Sequence, residues 1–337
     1  MAIATNTRTT YGAIGIREDL SNIIYNISPM ETPFLSGAGK GSCDNTLFEW
    51  QTDSLAAAAT NQKLEGDNNM DALAVAEPIR LTNYAQISYK AVQTSGTADA
   101  VDFAGRKSSQ AYQLAKRAKE IKRDMELMLL SNGVKGAGAA ATARKTAGVM
   151  SWLGTISAAT SNIVLGSASP VVGVVNNGSS SPVVGPDGTT VASFGTSAVL
   201  TMAMINLAME RCFDNGGEPT QILAPADLKA KISALGGSVV ADIQSNASGA
   251  KPTTAINAID VLVTDFGTLR IVPSRHMIAD MLLFVDYDFW SVDYLRPFQT
   301  ETLAKTGDSV KQLIIAEYGL RAKNGLASAA VVGVKDA

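Results

Sequence analysis

Ser108–Ser131 reads SSQAYQLAKRAKEIKRDMELMLLS. Ala111, Leu114, Ala118, Ile121, Met125 and Met128 recur at spacings of three and four, which predicts one apolar helix face, with Lys116, Lys119, Arg123 and Glu126 on the others. At about 1.5 Å per residue the helix is about 36 Å long, roughly twice an ordinary globular helix. Asn132-Gly133 directly after it predicts a left-handed stop. A helix of this length acts as a beam, and taken alone it also suits the core of an α/β enzyme.

Upstream of the beam, Ile79–Val92 alternates Ile79, Leu81, Ala85, Ile87, Tyr89 and Ala91 against Arg80, Thr82, Gln86, Ser88 and Lys90, which predicts a long strand. Thr46–Asp53 (TLFEWQTD) is a second strand. An Ala-rich and then acidic, polar connection containing Lys63, Glu65, Gly66 and Asp67 joins them. Together they read as a two-stranded projection with a mobile tip. A ribbon of two strands is marginal in water, so it leans on a partner or folds back on its own domain. Residues 1–45 scatter Tyr11, Ile14, Ile16, Leu20, Ile23, Ile24, Phe34 and Leu35 among turn formers and build no core of their own, so an arm lying across another domain or subunit is expected. A short helical turn over Thr97–Ala104 leads into the beam.

Downstream, Ser157–Ser197 is rich in Ser, Gly, Val, Thr and Asn, and Ser169–Gly173 (SPVVG) returns as Ser181–Gly185. Two copies predict paired strand-turn units in a surface insertion, since a solenoid needs more. A nearly all-apolar helix is expected from Thr196 or Ser197 through Phe213, and another from Pro225 through Leu235, followed by a polar loop over Ser238–Thr254. Gln221–Leu223, Ile256–Thr264, Leu269–Pro273 and Met281–Tyr287 are expected strands, giving a compact α/β unit. Gln312–Lys323 and Ala327–Val334 add two strands that must pair with something earlier in the chain.

The 337 residues are 46% hydrophobic, which excludes a disordered chain, and the net charge of −3 gives the whole molecule no bias toward nucleic acid. Charge is nevertheless segregated. Between Arg106 and Lys145 there are ten basic residues against Glu120, Asp124 and Glu126, an excess that attracts a polyanion unless pairs such as Lys116 with Glu120 consume it. Cys43 and Cys212 stand in no metal or disulfide spacing and are expected as plain thiols. The N-terminus lacks the apolar run of a signal peptide. Between Thr146 and Glu210 the only charge is Asp187, but polar residues interrupt every window long enough to span a membrane.

Chemistry is sparse. Gly37–Ser42 (GAGKGS) lacks the GK-Ser/Thr pair and the first glycine of a phosphate loop. His276 is the sole histidine, which excludes multi-histidine metal sites, and no GxSxG accompanies it. Asp286 with Asp288, and Asp260 near Asp265, are carboxylate pairs of a kind common at strand ends.

The order of elements (arm, two-stranded projection, beam helix, α/β unit, returning strands) resembles that of the major capsid proteins of tailed bacteriophages, the Hong Kong 97-like fold. The sequence is similar to one branch of these in Phe48–Leu55 (FEWQTDSL), Glu65–Asp67, Asn83–Ile87 (NYAQI), Arg123–Glu126 (RDME) and Ala143–Leu153 (ARKTAGVMSWL). The resemblance implies an α+β fold with an N-terminal arm (1–45) and an extended loop (46–96). A peripheral domain (97–196) follows, with spine helix 108–131 and a Gly/Ser-rich insertion over 157–197. An axial domain (197–284) and the return strands of the peripheral domain (285–337) complete it.

It further implies a structural protein, not an enzyme, that assembles as hexamers and pentamers into an icosahedral head around double-stranded DNA, made in the host bacterial cytoplasm and resident in the virion. Its partners would be further copies of itself, a portal protein at one vertex, a separate scaffold or decoration protein, and packaged DNA held non-specifically, with no cofactor, metal or membrane. Phe48, Trp50, Leu64, Tyr84 and Ile87 are the expected inter-subunit contacts, and Lys116, Lys119 and Arg123 the expected DNA-facing surface. Other members carry a scaffolding region ahead of the arm; here the arm begins almost at Met1, which implies a separate scaffold or none. The Lys–Asn cross-link of the best-known member has no matching motif around Lys63 or Lys90, so none is expected. Two other readings stay open: an encapsulin-like shell holding enzyme cargo, and an α/β enzyme with unrecognised carboxylate chemistry.

Overall fold

The computed structural model describes residues 31–53, 55, 58–63, 65–66, 77–102, 108–153, 163–165, 171–173, 187–189, 191, 194, 197–244 and 260–335. Residues 1–30 of the arm expected over 1–45, Leu64 and the second SPVVG copy lie outside these residues. Pro33 opens a one-turn helix, α1 (Pro33–Gly37), and β1 (Gly39–Ser42), β2 (Leu47–Thr52), β3 (Ile79–Tyr84) and β4 (Gln86–Ser95) follow. The single strand expected over Ile79–Val92 is therefore two. At buried Ala85 the backbone amide donates to Thr46 O at 2.8 Å, and the chain changes sheet. β3 pairs only with β2, whereas β4 joins a larger sheet, so the two-stranded projection is shorter at its root than expected.

Helix α2 (Gly96–Ala100) is capped by Ser95 Oγ, and α3 (Ser109–Leu129) by Ser108 Oγ, each accepting an amide three residues on. α3 is the beam, about 32 Å long at its 21 residues. Its stop differs from expectation. Leu130 ends it at φ −81°, Ser131 Oγ donates to Met128 O, and neither Asn132 nor Gly133 is left-handed. Apolar burial is also confined to the C-terminal half: Ile121, Met125 and Leu129 are fully covered, while Ala111 is exposed and Leu114 half-buried. Glu126, expected on a polar face, is buried with them.

The chain continues as β5 (Ile163–Leu165), β6 (Val171–Gly173), β7 (Ala198–Val199), α4 (Met202–Asp214), β8 (Gln221–Ala224) and α5 (Ala226–Gln244). It ends with β9 (Val261–Thr264), β10 (Gly267–Pro273), β11 (Met281–Val285), β12 (Trp290–Thr302), β13 (Ser309–Ala322), β14 (Ala329–Val332) and β15 (Val334–Lys335). The helix expected from Thr196 starts only at Met202 because Ala198–Val199 is drawn into parallel pairing with β15. α5 runs past Leu235 through Gly236-Gly237 to Gln244.

β12 has no counterpart in the sequence reading. Its first four residues are all buried, and its register against β13 shifts at Tyr294/Arg296 and Arg296/Gln299, so alternation never shows.

A seven-stranded sheet, order β6-β5-β14-β11-β8-β10-β9, separates two cores. Strand side chains alternate between faces: Met281, Leu283 and Val285 of β11 meet Met125, Leu129 and Trp290, whereas Leu282 and Phe284 meet Met204, Ala208 and Leu228 under α4 and α5. Ile163 and Val164 are fully buried, one in each core, so this part of the 157–197 insertion is sheet core and not surface. β5, β6 and β14 thus share one sheet with strands from 221–285. The second sheet has order β1-β12-β13-β4, and the β2–β3 ribbon stands on it.

Candidate functional site

The ribbon is held at its root by a polar lock. Asn83, fully buried, donates through Nδ2 to Thr146 Oγ1 (3.0 Å) and Leu320 O (2.6 Å) and accepts at Oδ1 from the amides of Ala147 (3.1 Å) and Tyr84 (2.9 Å). Both donors and both acceptor positions of the amide are filled. Lys135 Nζ donates to Thr82 O, Thr82 Oγ1 and Asp187 O at 2.8–2.9 Å; burial lowers its pKa, and Asp187 opposes that shift. Trp50 Nε1 donates to Ala322 O at 2.9 Å, and its ring lies 5.7 Å from Phe48 and 5.4 Å from Trp152. The Arg321 guanidinium, paired with buried Asp293, sits over both Phe48 and Trp50. Gly319 makes room for this stack: a Cβ there would lie 2.4 Å from Phe48 Cε1. Beyond the root, every described residue from Asp53 to Arg80 is exposed, Leu55 at 98%.

The arm root is locked onto the beam. The Glu126 carboxylate accepts the amides of Phe34 (2.9 Å) and Leu35 (2.7 Å), while the Phe34 ring packs 6.1 Å from both Trp290 and Tyr287. Burial raises the Glu126 pKa, and the two amide bonds only partly offset it.

The four-stranded sheet carries α3 on one face, where Lys90 pairs with Asp124 at 2.6 Å. Cross-strand partners share a face, so Tyr89 with Ile315 and Ala91 with Leu313 line the opposite one together with Ile87. Ile87 is 44% and Tyr89 64% exposed, and Leu313 and Ile315 are half-buried. No described element covers this apolar stripe.

Of the expected contacts, Phe48 and Trp50 are placed against their own chain. Phe48 is 5% exposed and Trp50 half-buried, because the root of the ribbon packs them against their own chain. Tyr84 is half-buried and Ile87 is open. Lys116 and Lys119 are exposed and Arg123 half-buried on one side of α3. The pair expected between Lys116 and Glu120 is instead Arg117 with Glu120.

The sparse chemistry does not converge. Asp286 accepts the amides of Glu218 and Asp288, serving as a turn acceptor beside Asp288. Cys43 and Cys212 are buried free thiols, and burial pushes the Cys43 pKa up to about 11. Burial, then Arg123 and Arg275, lowers the His276 pKa against Asp124. Among the described residues no three His, Cys, Asp or Glu side chains gather to hold a metal, and no helix is long and apolar enough to cross a membrane.

Asn83, Lys135, Thr146 and Glu126 were not expected as site residues. Three of them lie in the strings that carry the resemblance, NYAQI, RDME and ARKTAGVMSWL, and those strings were the available signal.

Comparison with known proteins gives one consistent set of likenesses. The family model for the SU10 major capsid protein matches residues 3–335. The major capsid protein of Escherichia phage Phieco32 is 29% identical over 351 residues, covering 95% of this chain and 94% of its own. Among solved structures, the Cyanophage A-1(L) capsid asymmetric unit superposes with TM-score 0.66 at 12% identity, covering 95% of this chain and 97% of that one. The capsid of a native GTA particle does so with TM-score 0.58 at 12% identity, covering 97% and 99%.

Proposed function

Because the chain belongs to the SU10 major capsid protein family, we propose that its open loop and open sheet stripe are the two halves of one contact repeated around the shell. The protein is a major capsid protein of a tailed phage and resides in the virion. The observation that carries the contact is the exposure of every described residue between Asp53 and Arg80, on a ribbon whose root is fully locked. Such a loop finds its partner in the next copy, and the stripe of Ile87, Tyr89, Ala91, Leu313 and Ile315 offers it apolar area. Contacts of this head-to-tail kind close into rings of five and six, and many weak ones make a strong shell.

The reading extends to the remaining parts. The body divides into a peripheral part built on α3 and the four-stranded sheet and an axial part within 197–284. A portal protein at one vertex and a separate scaffold or decoration protein complete the head, which holds double-stranded DNA. The protein acts through surfaces, with no catalytic step.

Replacing Ile87 and Tyr89 together by aspartate tests the contact. Both side chains are exposed, so the isolated subunit should lose no more than about 1 kcal/mol. Electron microscopy should then show capsomers or monomers where the wild type gives closed shells. Normal shells from the double variant would refute the stripe as a contact.

A further inference from the structure

The excess of positive charge around α3 is sharper in the structure than a count of residues suggests. Each acidic residue of the helix is engaged elsewhere: Glu120 by Arg117, Asp124 by Lys90, and Glu126, turned inward, by the amides of Phe34 and Leu35. Lys116, Lys119 and Arg123 share the face opposite the buried seam and have no acidic partner among the described residues. Lys122 beside them is exposed, with its ammonium over the Phe298 ring at 5.9 Å. Arg275, exposed on the turn after β10, extends the group from a different part of the chain. That turn lies near Arg123: Arg275 adjoins His276 in sequence, and the charges of Arg123, Arg275 and Asp124 all reach this histidine, whose Nε2 is buried without a partner.

Asp124, shared with Lys90, is the one acid near this group, so the five cations keep a net positive charge that an external polyanion would offset. Lys116 to Arg123 spans about 10 Å of helix, the axial rise of about three nucleotides of one DNA strand. The strip lies on the convex outer face of a helix and offers charge without a shaped recess, which suits a phosphate backbone held without sequence reading. We propose that Lys116, Lys119, Lys122, Arg123 and Arg275 form the surface on which the sugar-phosphate backbone of packaged DNA rests. This rests on the shell reading above and adds the residues on which its DNA would rest.

The test is fluorescence anisotropy of a short mixed-sequence DNA duplex with unassembled capsomers across a salt series. It compares the wild type with a variant carrying Lys116→Gln, Lys119→Gln, Arg123→Gln and Arg275→Gln. Wild-type affinity should fall steeply with salt, and the variant should bind about tenfold more weakly or worse, its salt slope reduced by about one per phosphate contact removed. Unchanged affinity and slope would overturn the proposal. So would polyglutamate displacing the duplex as effectively, at equal charge, as unlabelled DNA, because the partner would then be an acidic protein segment.

If the fourfold variant does not fold, Lys119→Gln and Arg275→Gln are read singly, each expected to lower the slope by about one. Electron microscopy of the same preparations keeps the two readings apart. Shells from a variant that no longer binds DNA support both, whereas wild-type protein that binds DNA but never closes sinks only the shell.

Discussion

Asn83→Ala is expected to lower the stability of the subunit by about 4 kcal/mol and to abolish shell formation. The substitution leaves Leu320 O and the Ala147 amide buried without their partner, each worth about 1–3 kcal/mol, and removes the acceptor of the half-buried Tyr84 amide, with the sum reduced by local relaxation. Asn83→Asp separates hydrogen bonding from size. It keeps the acceptor that faces Ala147 and Tyr84 but sets a carboxylate oxygen against Leu320 O, where the wild-type contact is 2.6 Å. Both variants should therefore fail, the aspartate despite its near-identical volume. Denaturant unfolding of the unassembled subunit reads the stability and electron microscopy the shells. A wild-type midpoint together with normal shells in either variant would show that the lock is dispensable.

The second large effect is expected at Glu126. Glu126→Ala removes the acceptor of two buried amides at the start of α1 and should cost about 3 kcal/mol, loosening the point where the N-terminal segment joins the beam. The pH dependence carries its own sign. A carboxyl whose folded pKa lies above its ordinary 4.5 contributes stability that is complete below that ordinary value and is lost as pH rises through the raised one. Glu126→Gln cannot titrate. The stability difference between wild type and the glutamine variant should therefore shrink as pH rises from acid toward neutral. A difference that grew over that range would mean that the amide bonds outweigh burial and that the sign assigned here is wrong.

The elements were legible where periodicity carries them. α3 is found within two residues of its expected bounds, and Leu47–Thr52, Gln221–Ala224 and Met281–Val285 lie where alternation or apolar runs placed them. Reading failed where tertiary pairing overrides local pattern. Ala198–Val199 would extend a helix but is claimed by β15, and β12 hides its alternation behind burial and two register shifts. The locking residues were invisible for a different reason. Glu126 is a polar residue that the helical period assigns to the outside, and Asn83 is a polar residue standing in the apolar phase of its strand; only their partners, 92 and 63 positions away in sequence, explain their burial. The strings NYAQI, RDME and ARKTAGVMSWL marked them as similar without saying why. The physical reason is that each string contributes a buried polar group or the aromatic wall around it. Phe48 and Trp50, expected to face a neighbour, stack at the foot of the ribbon with each other and with Trp152, a packing that alternation alone does not reveal.

The break at Ala85 has a mechanical side. β3 and β4 are one run of backbone interrupted by a single residue, so a pull on the loop by an adjoining copy passes straight into β4. That strand is zipped to β13 along all its ten residues, so a load running along it meets every rung. A load in that direction shears the whole ladder at once instead of peeling it rung by rung, and rungs that share a load yield only together. With Asn83 and Lys135 pinning the bend, the joint behaves as a tie rod with a fixed elbow. In a shell under outward pressure from its contents, tension carried from copy to copy would run through this line of each subunit and leave the helices of the second core unloaded.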